Sequence, residues 1–161
     1  GLAKQLKITN SEAKLYIENY FKKYPKIKDY MDYQIQFAQS SNFVSTIFGR
    51  RCNIKGINDK NFNVRGFAER QAINAPIQGS AADIIKLAMI QIHNKIISKE
   101  IPAKMLLQVH DELIFEVDKN KINNVSENIK NIMETAHLKY KNFTVPLTVE
   151  FGLGDTWAES H

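Results

Sequence analysis

Residues 105–115 have the sequence MLLQVHDELIF, and this stretch decides the fold of the 161-residue chain. Its apolar flanks partly alternate with polar residues, so it predicts a β-hairpin with Asp111 and Glu112 at the tip. A two-residue turn favours Asn-Gly or Asp-Gly because its backbone needs positive φ, and adjacent carboxylates repel each other. A turn that violates these preferences indicates function. Carboxylates on a stiff hairpin suit a hard divalent cation such as Mg²⁺.

The residues alone leave three interpretations of His110, Asp111 and Glu112: an exposed polar turn, a hydrolase metal site, or a phosphoryl-transfer site that uses Mg²⁺. The four histidines form no His-x₃-His pair and Cys52 is the single cysteine, which argues against zinc. The sequence also contains no nucleophile elbow, P-loop or dinucleotide-binding glycine motif. Phosphoryl transfer is the chemistry that suits these acids best.

Composition restricts the class of protein. The length fits one domain, or a small domain with an appendage, and a hydrophobic content of 43% allows a sizeable core. No run of 18 apolar residues occurs, so we expect no membrane span. The lone Cys52 fits a reducing cytoplasm. Residues 1–7 lack an initiator Met and a signal-peptide core, and they open inside a helix-like pattern, so we expect a piece of a larger protein.

The net charge of +5 is distributed unevenly, with +7 in residues 1–80 and −2 in residues 81–161. The arginines fall within one short region and are Arg50, Arg51, Arg65 and Arg70. Arginine is the better bidentate partner for phosphate. Gly49-Arg50-Arg51 is therefore either a solvated basic turn or a clamp on nucleic-acid phosphate, which would fix position and not sequence.

Arg70, Asn74 and Gln78 are spaced four residues apart, so on a helix they share one face over roughly 12 Å. All three side chains carry hydrogen-bond donors, and the DNA minor groove offers acceptors at similar places in every base pair. Such a row can hold DNA without reading its sequence. The alternative is an ordinary polar solvent face, and Pro76 would bend the helix before Gln78.

The remaining chain predicts an α+β fold, because helices come first and a helix–hairpin–helix–strand order follows. Thr9 and Glu12 form a capping box for the first helix, and Pro25 begins the second. The later predicted elements are an extended segment 43–54 interrupted at Gly49-Arg50-Arg51, a loop 55–62, a helical region 64–98 broken or kinked at Pro76 and Gly79 with a buried second half, the hairpin 103–117, an amphipathic helix 122–136, and a strand 145–151 followed by a tail through Trp157.

Four segments in one order carry a family resemblance: residues 46–51 (TIFGRR), 69–83 (ERQAINAPIQGSAAD), 108–112 (QVHDE), and 149–157 (VEFGLGDTW). With the opening Gly1-Leu2-Ala3, the chain resembles the C-terminal end of the family A DNA polymerases, especially the bacterial members. The resemblance covers essentially all 161 residues. Joint occurrence of the motifs in this order is highly specific, although each motif alone is only moderately so.

The resemblance implies a role for each site residue. Asp111 would be one of two palm carboxylates that hold a catalytic pair of Mg²⁺ ions, with Glu112 an auxiliary acid and His110 near the primer end. Residues 1–62 would be the remainder of the fingers, and residues 63–161 the rear of the palm with its antiparallel hairpin packed on helices. The residues that would contact DNA are Arg70, Asn74 and Gln78 in the minor groove, together with Arg50, Arg51 and Gln108.

The partners implied are primer–template DNA and deoxynucleoside triphosphates, for template-directed nucleotidyl transfer. The family's other metal-binding aspartate and its nucleotide-binding fingers helix have no counterpart in these 161 residues. We therefore expect the fragment alone to be inactive, to bind Mg²⁺ weakly at most, and to self-associate through apolar surface. The rival interpretations are a non-catalytic nucleic-acid-binding module and a metal-dependent phosphohydrolase built on Asp111 and Glu112.

Overall fold

The computed structural model describes residues 2–139 and 143–160, which form helices and two small antiparallel hairpins. This confirms the α+β class. The α-helices are α1 (Leu2–Leu6), α2 (Asn10–Lys23), α3 (Pro25–Ser41), α4 (Phe62–Ile97) and α5 (Ile122–Thr135). The strands are β1 (Phe43–Ser45), β2 (Arg51–Asn53), β3 (Ala103–Val109) and β4 (Glu112–Val117). Short 3-10 helices lie at Lys119–Lys121, Ala136–Lys139 and Trp157–Glu159. None of the helices in the described part of the chain has the length and apolar character needed to cross a membrane.

The chain divides into two compact units, Gly1–Ile77 and Gln78–His161, and α4 contributes residues to both. In the first unit, β1 and β2 form a hairpin in which Val44 lies opposite Cys52. Val44 packs in one apolar cluster with the buried Ala38 of α3, Ile54 and Ile57 after β2, and Ala68 and Ala72 of α4. The extended segment expected between residues 43 and 54 is therefore a short hairpin over the start of α4.

The predicted capping box begins α2. The amide of Glu12 donates to Thr9 Oγ1 at 3.3 Å, and the amide of Thr9 donates to Glu12 Oε2 at 2.9 Å. Most apolar side chains of this helix are not buried within the described residues, where Ala13 is the one buried side chain of α2. Tyr16 and Tyr20 are 61% and 48% exposed. Helical spacing thus predicted the helix but not what its apolar face packs against.

Helix α4 is continuous from Phe62 to Ile97, so it is not broken at Pro76 and Gly79, while the kink expected there as the alternative stays a prediction. Proline lacks the N–H that would bond the carbonyl four residues earlier. Next to that position, the Tyr30 hydroxyl donates to the carbonyl oxygen of Ile73 at 3.0 Å. The helix also begins one residue inside the expected loop, because Asn61 Oδ1 accepts from the amide of Asn63 at 2.9 Å and acts as its N-cap.

In the second unit, one face of the β3–β4 hairpin packs against α5 and the end of α4. The buried residues of this cluster are Ile92, Ile101, Val125, Ile129 and Ile132. The amphipathic helix predicted after the hairpin is confirmed by this packing. The end of α4 is not buried all round as expected, because Ile90 is 57% exposed while Ile92 is fully buried.

The strand expected at residues 145–151 is wrong, since the structure assigns no strand there. A β-strand needs a partner for its main-chain groups, and each described sheet has only two strands, neither of which includes this segment. The segment is instead attached by side chains. The amide of Val149 donates to Glu134 Oε1 on α5 at 2.9 Å, and Lys119 Nζ lies 2.7 Å from Asp155 Oδ1. Trp157 at its end is 47% exposed and does not enter the core.

Candidate functional site

The tip of the β3–β4 hairpin carries the predicted acidic site. Val109 pairs with Glu112 as the last register position, so the turn consists of His110 and Asp111. This corrects the expectation that both acids occupy the tip. Asp111 is exposed in the turn, whereas Glu112 is the half-buried first residue of β4. The hairpin therefore presents one carboxylate to solvent and holds the second beside it on a strand.

His110 supplies the unusual backbone of this turn. Its φ is 51°, in the left-handed region that residues with a side chain rarely adopt. The Gln108 side chain contributes to the turn, because its Nε2 donates to the carbonyl oxygen of His110 at 3.1 Å. A non-glycine residue at positive φ costs of order 1 kcal/mol, and such strain clusters at functional sites. His110 is thus the residue at which the turn departs from the usual sequence preference.

A β-bulge lies next to the tip on β3. Met105 pairs with Phe115 and Leu107 pairs with Ile114, so Leu106 is the extra residue. Leu106 and Leu107 are 46% and 45% exposed. Bulges bend a strand, increase its twist and are common next to active sites, where they redirect side chains. The sequence pattern, which alternates only partly through these leucines, is the signal that could have located the bulge.

Asp111 and Glu112 fit Mg²⁺ in the chemistry of their donors, since the ion prefers carboxylate oxygens and usually binds few protein ligands. They do not complete a site. Among the described residues there is no group of three or more histidine, cysteine, aspartate or glutamate side chains that could hold a metal ion. The hairpin thus provides two neighbouring carboxylates, and metal binding by them stays a prediction.

The row of hydrogen-bond donors lies on α4. Arg70 and Asn74 are exposed in the first unit, while Ala68 and Ala72 of the same helix are buried. Gln78 is exposed at the start of the second unit. The expected placement of these residues on a helix is confirmed, whereas contact with DNA stays a prediction.

Arg50 and Arg51 follow the turn between β1 and β2. The amide of Arg50 donates to Thr46 Oγ1 at 3.2 Å, and Gly49 before it has a φ of 82°. Arg51 lies opposite Ser45 in the hairpin, and its guanidinium carbon is 4.6 Å from the centroid of the Phe43 ring. Both arginines are exposed. A cation held on an aromatic face in this way is oriented but still accessible to a phosphate.

Sequence reasoning missed Tyr30, which bonds the carbonyl of Ile73 directly beside Asn74. The two residues are 43 positions apart, so no local pattern connects them. The available signal was chemical: a tyrosine on an inward helical face needs a partner for its hydroxyl.

Comparison with known proteins identifies the family. The sequence profile of DNA polymerase family A matches residues 1–159. DNA polymerase I of Streptococcus pneumoniae is 46% identical over 160 residues, which are 99% of this chain and 18% of that protein. DNA polymerase I of Lactococcus lactis is 48% identical with the same two coverages. The chain thus spans 18% of the length of these relatives.

A solved structure agrees with these relatives. The polymerase domain of Pol1 from M. smegmatis, in complex with DNA primer–template and dNTP, superposes with a TM-score of 0.91 at 41% identity. The match covers 99% of this chain and 28% of that one. The profile match over nearly the whole sequence leaves one assignment: this chain belongs to DNA polymerase family A.

Proposed function

We propose that this chain supplies the C-terminal part of a DNA-directed DNA polymerase, which adds deoxynucleotides from dNTPs to the 3′-hydroxyl of a primer during DNA replication and repair. The observation that carries the proposal is the exposed Asp111 in a His110–Asp111 turn, with Glu112 beside it, in a chain matched to the family over residues 1–159. The M. smegmatis relative was solved with primer–template and dNTP, which supports DNA and nucleotides as the partners here.

The carboxylates would act through Mg²⁺. Bound magnesium would supply activation of an attacking hydroxyl and neutralisation of charge on the transferred phosphoryl group. Within this chain, Asp111 would hold metal from the tip of the hairpin, and Glu112 would assist from β4. His110, fixed by its unusual backbone and by the bond from Gln108 Nε2, would orient the primer end.

The DNA contacts would come from two surfaces. Arg70, Asn74 and Gln78 would donate hydrogen bonds to minor-groove acceptors, which are similar in every base pair and therefore permit any sequence. Arg50 and Arg51 would bind backbone phosphate. The exposure of all five side chains, and the position of Arg51 on the Phe43 ring, support this assignment. Gln108, exposed on β3, would add a contact near the primer end.

We assign residues 1–62 to the fingers and residues 63–161 to the palm. The support is the element order, with α1 to α3 in the first part and the long helix, the acidic hairpin and α5 in the second. A cytoplasmic location agrees with the single, half-buried Cys52, since disulfides are rare in reducing compartments.

The decisive experiment replaces Asp111 in the full-length polymerase. Asp111→Asn should lower the rate of primer extension at least about a hundredfold with Kd for primed DNA nearly unchanged, since metal-held charge supplies several kcal/mol of transition-state stabilisation. Asp155→Asn is the matched control, because Asp155 is 71% exposed and pairs with Lys119 on the surface. Normal extension by Asp111→Asn would contradict the proposal.

A polypeptide of these 161 residues alone should not extend primers, because the described residues provide no second acid cluster to complete the metal site. Its exposed arginines favour a second, narrower activity, which is binding of primed duplex without Mg²⁺. Such binding should weaken steeply with salt, because phosphate contacts release counterions. Primer extension by the purified polypeptide above a mock preparation would refute the first statement, and a salt-independent Kd would refute the second.

The same polypeptide should self-associate. Its second unit exposes several large apolar side chains, among them Leu106, Leu107, Leu138, Phe151 and Leu153. Exposed apolar side chains favour association where they lie close together. Sedimentation velocity should show oligomers that dissociate on dilution, and a monomer at every concentration would contradict this.

A further inference from the structure

A cleft of about 510 Å³ lies at the end of the β3–β4 hairpin away from the His110–Asp111 turn. Its apolar lining comes from Ile96, Ile101 and Ala103, where the end of α4 connects to β3. Ile101 is buried, and Ile96 and Ala103 pack against the core of the second unit. The floor of this cleft, which is open to solvent, is therefore supported by packed residues.

Charged residues surround this apolar lining. Lys99, Lys104 and Lys121 come from the α4–β3 connection, from β3 and from the turn before α5. Glu116 is the one acid among the described lining residues, and its carboxylate is 3.8 Å from Lys104 Nζ. The three lysines and one glutamate leave the cleft with a net positive charge. Its occupant should be acidic.

A small anion does not match the donors at this position. Anion sites use main-chain N–H groups that converge on the ligand. The amides of Lys99, Glu100 and Ile101 already donate to the carbonyls of Ile96 and Lys95 at 2.9–3.1 Å. The amide of Ala103 likewise donates to Ile101. Recognition is left to lysine side chains on three separate segments, which suits an extended ligand with several charges.

Nucleic acid is also a poor match. Proteins hold single strands with aromatic side chains on which bases stack, and phosphate is met best by arginine. Among the described residues that line the cleft, none is aromatic and none is an arginine. An aliphatic side chain flanked by carboxylates fits the lining, because the apolar part buries the side chain and the lysines pair with the acids.

We propose that this cleft binds an acidic, extended peptide segment of a partner protein, with one aliphatic side chain of that segment on the Ile96–Ala103 lining. The interaction is separate from nucleotidyl transfer, since the cleft lies at the other end of the hairpin from Asp111. It would attach the polymerase to another protein without occupying the catalytic hairpin tip.

The test uses the full-length polymerase and a fluorescein-labelled peptide of ten residues, with glutamates flanking a central Leu-Ile pair. Fluorescence anisotropy should show saturable binding. The triple variant Lys99→Gln, Lys104→Gln, Lys121→Gln should weaken it about tenfold, as expected for three exposed ion pairs. The matched control is Lys86→Gln, Lys119→Gln, Lys130→Gln, which removes the same charge outside the cleft and should change Kd less than twofold.

Two further measurements examine the apolar contact and the class of ligand. Pro102→Glu places a carboxylate in the cleft at an exposed residue and should also weaken binding. A peptide with serines in place of Leu-Ile should bind at least fivefold more weakly. The proposal would be overturned if both triple variants lost peptide affinity equally, or if the serine peptide bound as tightly as the Leu-Ile peptide. An oligothymidylate that binds more tightly than the peptide and loses this binding in the Lys99, Lys104, Lys121 variant alone would also overturn it.

Discussion

Gln108 and His110 are bonded across the start of the hairpin turn, where Nε2 of Gln108 donates to the carbonyl oxygen of His110 at 3.1 Å. His110 has a φ of 51°. His110, which is proposed to lie at the primer end, thus has a backbone conformation that residues with a side chain rarely adopt. The side chain of Gln108 bonds its carbonyl oxygen. When glycine replaces His110, the stability of the protein should therefore rise while its activity falls.

His110→Gly should raise the free energy of unfolding by about 0.5–1 kcal/mol, because glycine accepts positive φ without steric cost. Primer extension should nevertheless fall at least about tenfold, since the imidazole is lost. Lys99→Gly is the control, because Lys99 has a φ of 63° in the same unit. It should give a similar rise in the thermal unfolding midpoint with normal extension. Lower stability of His110→Gly would show that the turn is not strained.

Tyr30 should make stability sensitive to alkaline pH. Burial raises the pKa of its hydroxyl above the ordinary value of 10.0. The unfolded chain therefore loses this proton at lower pH than the folded chain does, so stability is complete below pH 10 and falls as pH rises through the folded-state pKa. Tyr30→Phe should cost about 1 kcal/mol at pH 8, by loss of the bond to Ile73, and should show a shallower alkaline decline.

The exposed Tyr33 on the same helix provides the comparison, since it is 60% exposed. Thermal unfolding midpoints of Tyr33→Phe should match those of the parent protein at both pH 8 and pH 10.5. If Tyr30→Phe and the parent protein decline in parallel, ionisation of Tyr30 does not contribute.

Local signals in the sequence predicted much of this fold. The capping box at Thr9, the hairpin around Asp111 and the apolar face of the helix that contains Val125 each depend on residues within a few positions of one another. The structure confirms all three. Arg70 and Asn74 likewise lie on the helix predicted for residues 64–98, while their function stays a proposal.

Non-local relationships were not predictable in this way. The segment around Val149 has strand-like composition, but a strand exists only where another strand pairs with it, and the described residues provide a carboxylate from Glu134 instead. Likewise, α4 continues past Pro76, and near that point the hydroxyl of Tyr30, which is distant in sequence, bonds the carbonyl of Ile73. Patterns within one segment contain no information about such partners.

Glu12 should make the start of α2 sensitive to acid. The hydroxyl of Thr9 bonds the Glu12 carboxylate at 2.7 Å and lowers the pKa of that carboxyl below its ordinary value of 4.5, and the amide of Thr9 lowers it further. This contribution is present above pH 4.5 and is lost as pH falls through the lower folded-state pKa. Amide-exchange protection of Ala13 should decrease over that range. Glu12→Gln should remove the pH dependence, whereas Glu18→Gln, later on the same helix, should retain it.

The tail around Val149 should depend on one carboxylate. Glu134 is half-buried on α5, accepts the amide of Val149 at 2.9 Å and lies 3.8 Å from Lys130 Nζ. Glu134→Leu should speed amide exchange of Val149 by about ten- to a hundredfold, because hydrogen bonds to charged groups contribute roughly 1.5–3 kcal/mol. Glu134→Gln keeps an oxygen acceptor and should retain most of the protection. Glu127→Leu, on the exposed side of α5, should change nothing at Val149. Equal exchange rates in Glu134→Leu and the parent protein would mean that another partner holds the tail.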